Sequence, residues 1–182
     1  MEDPGEHLVG QYLKEIKKCD FVEYNLQTGK KQGEIDVVGI DSVNNIVYVC
    51  EVATHLDGLH YNKNGKPDNV RRFLAKFEKD IDYIQANFKE YKRIFMLWTP
   101  VAKNSKKGSK HNQIEDLKMI QEKIRKSKNI EIDIIKNNEY YKCLQELRGV
   151  AAKTKNPMNS PIMRFLQIEE RLKKNSKRDI YL

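Results

Sequence analysis

Two carboxylates within one short stretch of this chain are spaced so that they could share a divalent cation. In GEIDVVGIDSVNNIVYVCEVATH, residues 33–55, Asp36 lies near the start of one β-branched run and Glu51 near the end of the next. The runs 34–41 (EIDVVGID) and 46–53 (IVYVCEVA) flank SVNN, a hairpin-like turn, so they should be antiparallel neighbours. Pairing about a turn centred on residues 43–44 sets Asp36 opposite Glu51, with side chains roughly 5 Å apart. Two carboxylates that close repel each other unless a cation or a proton lies between them. A hard ion such as Mg2+ is held by one or two carboxylates and completed by water and phosphate oxygens. Spacing alone leaves an alternative open, in which Glu51 is an acid at a strand end in water.

The surrounding elements must hold these two strands in a sheet. Residues 5–19 place Leu8, Tyr12, Leu13, Ile16 and Cys19 on one helical face. Residues 21–25 alternate as a short strand. Residues 54–68 read as a loop with Gly58, Gly65 and Pro67, and residues 69–88 carry a helical stripe of Val70, Phe73, Phe77, Ile81, Ile84 and Phe88. An apolar strand at 93–99, a basic loop at 101–112, a helix at 114–128 and a strand at 130–135 follow. Helices are expected at 138–152 and 161–174, separated by the break at KTKNP. Three strands in a meander, then strands alternating with helices, predict an α/β chain with a central mixed β-sheet flanked by helices. The organisation expected is an α/β core over residues 1–136 and a C-terminal helical extension over 137–182, packed on or beside that core.

Composition narrows the function classes. The chain has 182 residues and a net charge of +8, with −2 over the first 100 residues and +10 over the remainder. This asymmetry suggests a polyanionic partner such as nucleic acid. No apolar run approaches the roughly 20 residues that a membrane helix needs, and no signal pattern opens the chain. A cytoplasmic protein with no membrane partner is therefore expected. Three widely spaced cysteines, Cys19, Cys50 and Cys143, argue against a disulfide framework or a structural zinc site and are expected as buried thiols. The sequence has no GxxxxGK[ST], GxSxG or HExxH pattern, so nucleotide hydrolysis, serine-type acyl transfer and zinc proteolysis lose support.

The segment GEID, a turn, then an apolar strand ending in Glu51-Val52 resembles the active-site hairpin of the PD-(D/E)XK nuclease superfamily, and GEHLVGQYL resembles the first helix of its small resolvase-like members. The resemblance covers roughly residues 5–135. It implies a three-layer restriction-endonuclease-like fold and a metal-dependent DNA endonuclease of restriction, repair or mobile-element type. It implies Mg2+ (or Mn2+) bound by Asp36, Glu51 and the main-chain carbonyl of Val52, with Glu6 approaching directly or through water. It also implies a homodimer, because cutting two strands needs two sites. The chain departs from the pattern at residue 53, where Ala53 replaces the lysine that orients water and offsets charge at the scissile phosphate. Three outcomes follow from this. The lysine has moved to the helix after the hairpin, as Lys76 or Lys79; or His55, two residues beyond Ala53 on the same strand face, assists; or the site is inactive and the domain only binds nucleic acid or protein. Lys76 is three residues from the core-type Phe73, so it leans toward the sheet. On this reading Asp36, Glu51 and Lys76 are the catalytic set.

Other residues are candidates for substrate contact. His55 and His60 match no zinc spacing, but their loop leaves the strand directly after Glu51, at the mouth of any site. Lys103, Lys106, Lys107 and Lys110 could position phosphates without reading bases, or form a solvated loop. The same choice applies to Arg164, Arg171, Lys173, Lys174, Lys177 and Arg178. Trp98 reads as core. DNA is the expected partner; the residues do not separate it from RNA.

Overall fold

The computed structural model describes residues 3–29, 33–105 and 112–179. A first helix, α1 (Pro4–Glu15), starts at Asp3, whose carboxylate accepts from the Gly5 N–H at 2.6 Å, with Pro4 in the first turn where its missing N–H costs nothing. Three strands follow: β1 (Phe21–Gln27), β2 (Glu34–Asp41) and β3 (Ile46–Val52). They form an antiparallel meander in which Val37 pairs with Cys50, Val38 with Val49 and Asp41 with Ile46, the register expected from the turn at residues 42–45. Asn45 closes that turn at φ 52°, a left-handed conformation that Asn tolerates better than most residues.

Residues 54–68, expected as loop alone, contain a small hairpin of β4 (Asn62–Lys63) and β5 (Lys66–Pro67). The chain then enters α2 (Asn69–Asn87), crosses to β6 (Lys92–Thr99), and returns through α3 (Gln113–Lys128) to β7 (Ile132–Lys136). The main sheet has the order β1-β2-β3-β6-β7, with β3–β6 and β6–β7 parallel. Two crossovers of the same hand that advance in the same direction put both helices on one face. Accordingly, Phe73, Phe77, Ile81 and Ile84 of α2 and Leu117, Ile120 and Ile124 of α3 share one core cluster with Val38, Val47 and Val49.

The other face is covered by α1, α4 (Asn137–Lys153) and α5 (Pro161–Asp179). Val9 and Leu13 of α1, Cys143 and Leu147 of α4 and Met163 of α5 close over Cys50 and the fully buried Trp98. The protein is thus α/β, with a five-stranded mixed sheet flanked by helices. All three cysteines are free and buried. Among the described residues no helix is long and apolar enough to cross a membrane.

Candidate active site

Side chains alternate along a strand, so residues two apart share a face. Val38 and Val49 face α2, and therefore Asp36 and Glu51 do as well. The side chain of Asp36 adds to the pairing at this end of the two strands. The Val52 N–H donates to Asp36 Oδ2 at 2.7 Å, which ties the carboxylate to the end of β3. Val52 itself pairs with Trp98 of β6, and Ala53 N donates to the Trp98 carbonyl at 2.8 Å. Glu51 and Val52 thus lie at the carboxyl end of a strand in the parallel part of the sheet, where α/β proteins commonly bind ligands.

A lysine of the facing helix reaches both carboxylates. Lys76 Nζ lies 3.0 Å from Asp36 Oδ1 and 3.2 Å from Oδ2, and it is ion-paired with Glu51. The stripe Phe73–Phe77–Ile81–Ile84 anchors α2 to the sheet, and Lys76 flanks that stripe, so the helix register fixes where the ammonium falls. Ala53, 2% exposed, faces the same layer as Glu51.

Asp80, a residue that sequence reasoning passed over, completes the cluster. It stands one helical turn after Lys76 on α2 and is 1% exposed. The carboxylate oxygens of Glu51 and Asp80 are buried without a hydrogen-bond donor, apart from the ion pair that Lys76 makes with Glu51. Two buried carboxyls, those of Asp36 and Glu51, thus contact one ammonium, and the buried Asp80 lies close enough to feel its charge. Burial pushes Glu51 well above the usual carboxylate range and Asp36 adds to the rise, while Lys76 works against it. Burial likewise lifts Asp80 to about 6, against the pull of its close neighbour Glu51 and the charge of Lys76. Burial alone would lower Lys76, but Glu51 and Asp36 outweigh it and hold the ammonium above its ordinary value. The acids are left with more negative charge than one lysine balances, and burial together with this excess favours the protonated form of Glu51 and Asp80.

Such a proton makes stability depend on pH. Asp80 rises from 3.8 in a free side chain to about 6 in the fold. Between those values the folded chain keeps a proton that the unfolded chain has lost, so stability falls as pH rises through this window. The shift corresponds to about 3 kcal/mol. Asp80→Asn should remove that slope: urea unfolding at pH 4 and pH 8 should show the variant gaining on the wild type at the higher pH. Equal gains at both pH values would show that Asp80 is not held protonated.

The remaining candidates fall around this cluster. Glu6, in the first turn of α1, is half-buried and accepts from Asn25 Nδ2 at 3.3 Å. Asn25 sits between the Tyr24–Val37 and Leu26–Ile35 pairs of β1 and β2, at φ 53°. Burial raises Glu6, and the Asp36 charge adds to this, so Glu6 belongs to the rim of the same field. His55 is exposed and its ring meets Tyr61 edge-on at 5.0 Å. Lys79 lines a cleft of about 540 Å3 beside Lys76, together with Gln27, Glu34, Arg71 and Arg72. Lys103 is exposed, and its N–H donates to Gln113 Oε1 at 2.8 Å in the loop that leaves β6. Lys106, Lys107 and Lys110, and the side chains of Lys177 and Arg178, lie outside the described residues.

Among the described residues, no three His, Cys, Asp or Glu side chains converge as a ready-made metal cage. A Mg2+ ion does not require one, because it keeps several waters and takes one or two protein carboxylates with substrate phosphates. The donor set fits such an ion in chemistry: hard oxygens, buried, with negative charge in excess. Lys76 now serves both acids, and an ion held by Asp36 and Glu51 would take over part of that role. No family model, curated protein or solved structure matches this chain.

Proposed function

We propose that this protein is a metal-dependent DNA endonuclease that hydrolyses phosphodiester bonds, of the PD-(D/E)XK type on a restriction-endonuclease-like fold. The observation that carries the reading is the contact of one lysine ammonium with both carboxylates of the hairpin, Asp36 and Glu51. It supplies, from α2, the cation that the motif lacks at Ala53.

Asp36 and Glu51 would hold Mg2+ or Mn2+, with the Val52 carbonyl completing the set and Glu6 at its edge. When bound, the ion polarises a phosphoryl oxygen and lowers the pKa of a water ligand. The chain's own contribution is electrostatic. Lys76 keeps its proton because its two acidic neighbours raise its pKa, so it acts as a fixed positive charge and not as a base. Such a charge, buried where water is scarce, stabilises negative charge that develops on the phosphate. The Val52 N–H holds Asp36 in place through the hydrogen bond at 2.7 Å. A second copy of the chain would supply the second site for cutting both strands.

Supercoiled plasmid incubated with the protein and Mg2+ or Mn2+ should be nicked or linearised. Asp36→Ala should abolish this. Cleavage that survives in Asp36→Ala would remove the assignment.

A second reading has one specific observation in its favour. Lys76 already occupies both acids as an ion-pair partner, as it would in a domain that binds nucleic acid or protein without cutting. That reading expects salt-sensitive DNA binding with no cleavage under any divalent ion.

A further inference from the structure

The hairpin of β4 and β5 stands where the sequence suggests only a loop, and its tip is built with like charges face to face. Lys63 and Lys66 are direct partners in the β4–β5 register, and both are exposed. Like charges directly opposite each other destabilise a strand pair. Asn64 at φ 53° and Gly65 at φ 72° form the turn between them, both left-handed, as a tight two-residue hairpin turn demands. Among the described residues neither lysine has an ion-pair partner within 4 Å.

The base of this hairpin is fixed. Asp68 N donates to the Tyr61 carbonyl at 2.7 Å, and Tyr61 N donates to Asn69 Oδ1 at 3.0 Å. Asn69, 4% exposed, also donates to the Leu59 carbonyl and to Asp116. The rigid base sets Lys63 near Asp68 and the two arginines at the start of α2. Asp68 is held below its usual range by a hydrogen bond from Arg71, and Lys63 and Arg72 add to the effect. One carboxylate therefore faces three cations. Arg72 lies with its guanidinium 4.2 Å from the centre of the Tyr61 ring. Tyr61 in turn meets Phe73 of α2 edge-on at 5.6 Å, so its ring is seated between Arg72 and the helix core. Past the Lys76 ion pairs, Lys79 lines the same cleft as Arg71 and Arg72. From Arg72 to Lys79 the helix rises about 10 Å, the axial rise of roughly three nucleotides in a duplex strand.

We propose that the Asn62–Pro67 hairpin and Arg72 form a phosphate clamp that seats a nucleic-acid strand along α2, beside the Asp36–Glu51–Lys76 centre. A phosphate between Lys63 and Lys66 relieves their mutual repulsion. Arg72, seated over the Tyr61 ring, donates to the next phosphate. The inference deepens the nuclease reading and rests on it for the identity of the strand.

The test is binding of a fluorescent 20-base-pair DNA duplex by the full chain in EDTA, where nothing is cut, from 50 to 200 mM salt. The Lys63→Ala/Lys66→Ala variant should lower the slope of log Kd against log salt by roughly 0.9, since the phosphate that the two lysines share counts as one duplex contact. Arg72→Ala should remove about one further contact. The control is Lys142→Ala/Lys153→Ala, two exposed lysines of α4 on the opposite side of the sheet, which should keep the wild-type slope. A hairpin variant with the wild-type slope, or a control that loses as much, would overturn the clamp. The nuclease reading fails separately: if the wild type cuts nothing with Mg2+ or Mn2+ while the hairpin slope still drops, the clamp stands and catalysis does not. If the wild type cuts DNA and the slopes stay unchanged, catalysis stands and the clamp does not.

Discussion

Lys76→Met should lose at least ~100-fold in DNA cleavage and, at neutral pH, several kcal/mol of stability at once. The two effects have one cause. Lys76 is the cation in contact with Asp36 and Glu51, and Asp80 stands beside them. Methionine keeps the length and apolar stem but leaves the acids facing each other. Breaking a buried ion pair by removing one partner commonly costs about 3–5 kcal/mol, because the remaining charge is stranded. The loss should shrink at pH 5, where Glu51 and Asp80 hold protons more fully. It should also shrink with added Mg2+, which stabilises whatever state binds it. Mg2+ should raise the melting temperature of the variant more than that of the wild type, since the ammonium no longer competes for the acids. A variant that melts like the wild type at pH 7 would show that the lysine does not neutralise the cluster.

Much of this centre was legible in the sequence, for identifiable reasons. The β2–β3 register follows from a short polar turn between two β-branched runs, and one registration buries the alternating valines. Lys76 was within reach because helix periodicity ties it to Phe73, and the helix stripe itself was plain. Asp80 was not found because it occupies a core-facing position, one turn after Lys76 and next to Ile81, where an isolated sequence offers no reason for an acid. A polar residue on an otherwise apolar helix face is the signal that would have marked it. The β4–β5 hairpin was hidden because two-residue strands without apolar residues leave no alternating pattern. Asn64-Gly65 was its one clue, as Asn-Gly is the characteristic pair of a tight hairpin turn. Ala53 could be seen as a departure in the sequence, but which cation stands beside Asp36 and Glu51 depends on where α2 lies in space.

Glu51→Gln is expected to separate function from stability in the opposite way. Cleavage should fall by at least ~1000-fold, because the proposed metal site would lose an anionic ligand. The fold, in contrast, should gain roughly 1–2 kcal/mol at pH 8. Glu51 is fully buried and its pKa lies well above the usual carboxylate range, chiefly through burial. The folded chain therefore holds its proton at a pH where the unfolded chain has released it, and stability drains away as pH climbs through that interval. Glutamine has the same shape and no charge to desolvate, and Lys76 keeps Asp36 as its partner. Residues retained at a cost to stability are characteristic of working sites. Urea unfolding of the variant and the wild type at pH 5 and pH 8, alongside plasmid cleavage, reads both effects. A variant that is less stable at pH 8 would mark Glu51 as a structural ion-pair partner of Lys76.

The central claim is that Asp36 and Glu51 take up a divalent cation that Lys76 assists. Anomalous diffraction from crystals of the full chain soaked in Mn2+ addresses it most directly. The account predicts a manganese peak in contact with both carboxylates and a Lys76 ammonium that has given up at least one of them. No peak at saturating Mn2+, with Lys76 still bonded to both acids, would contradict it.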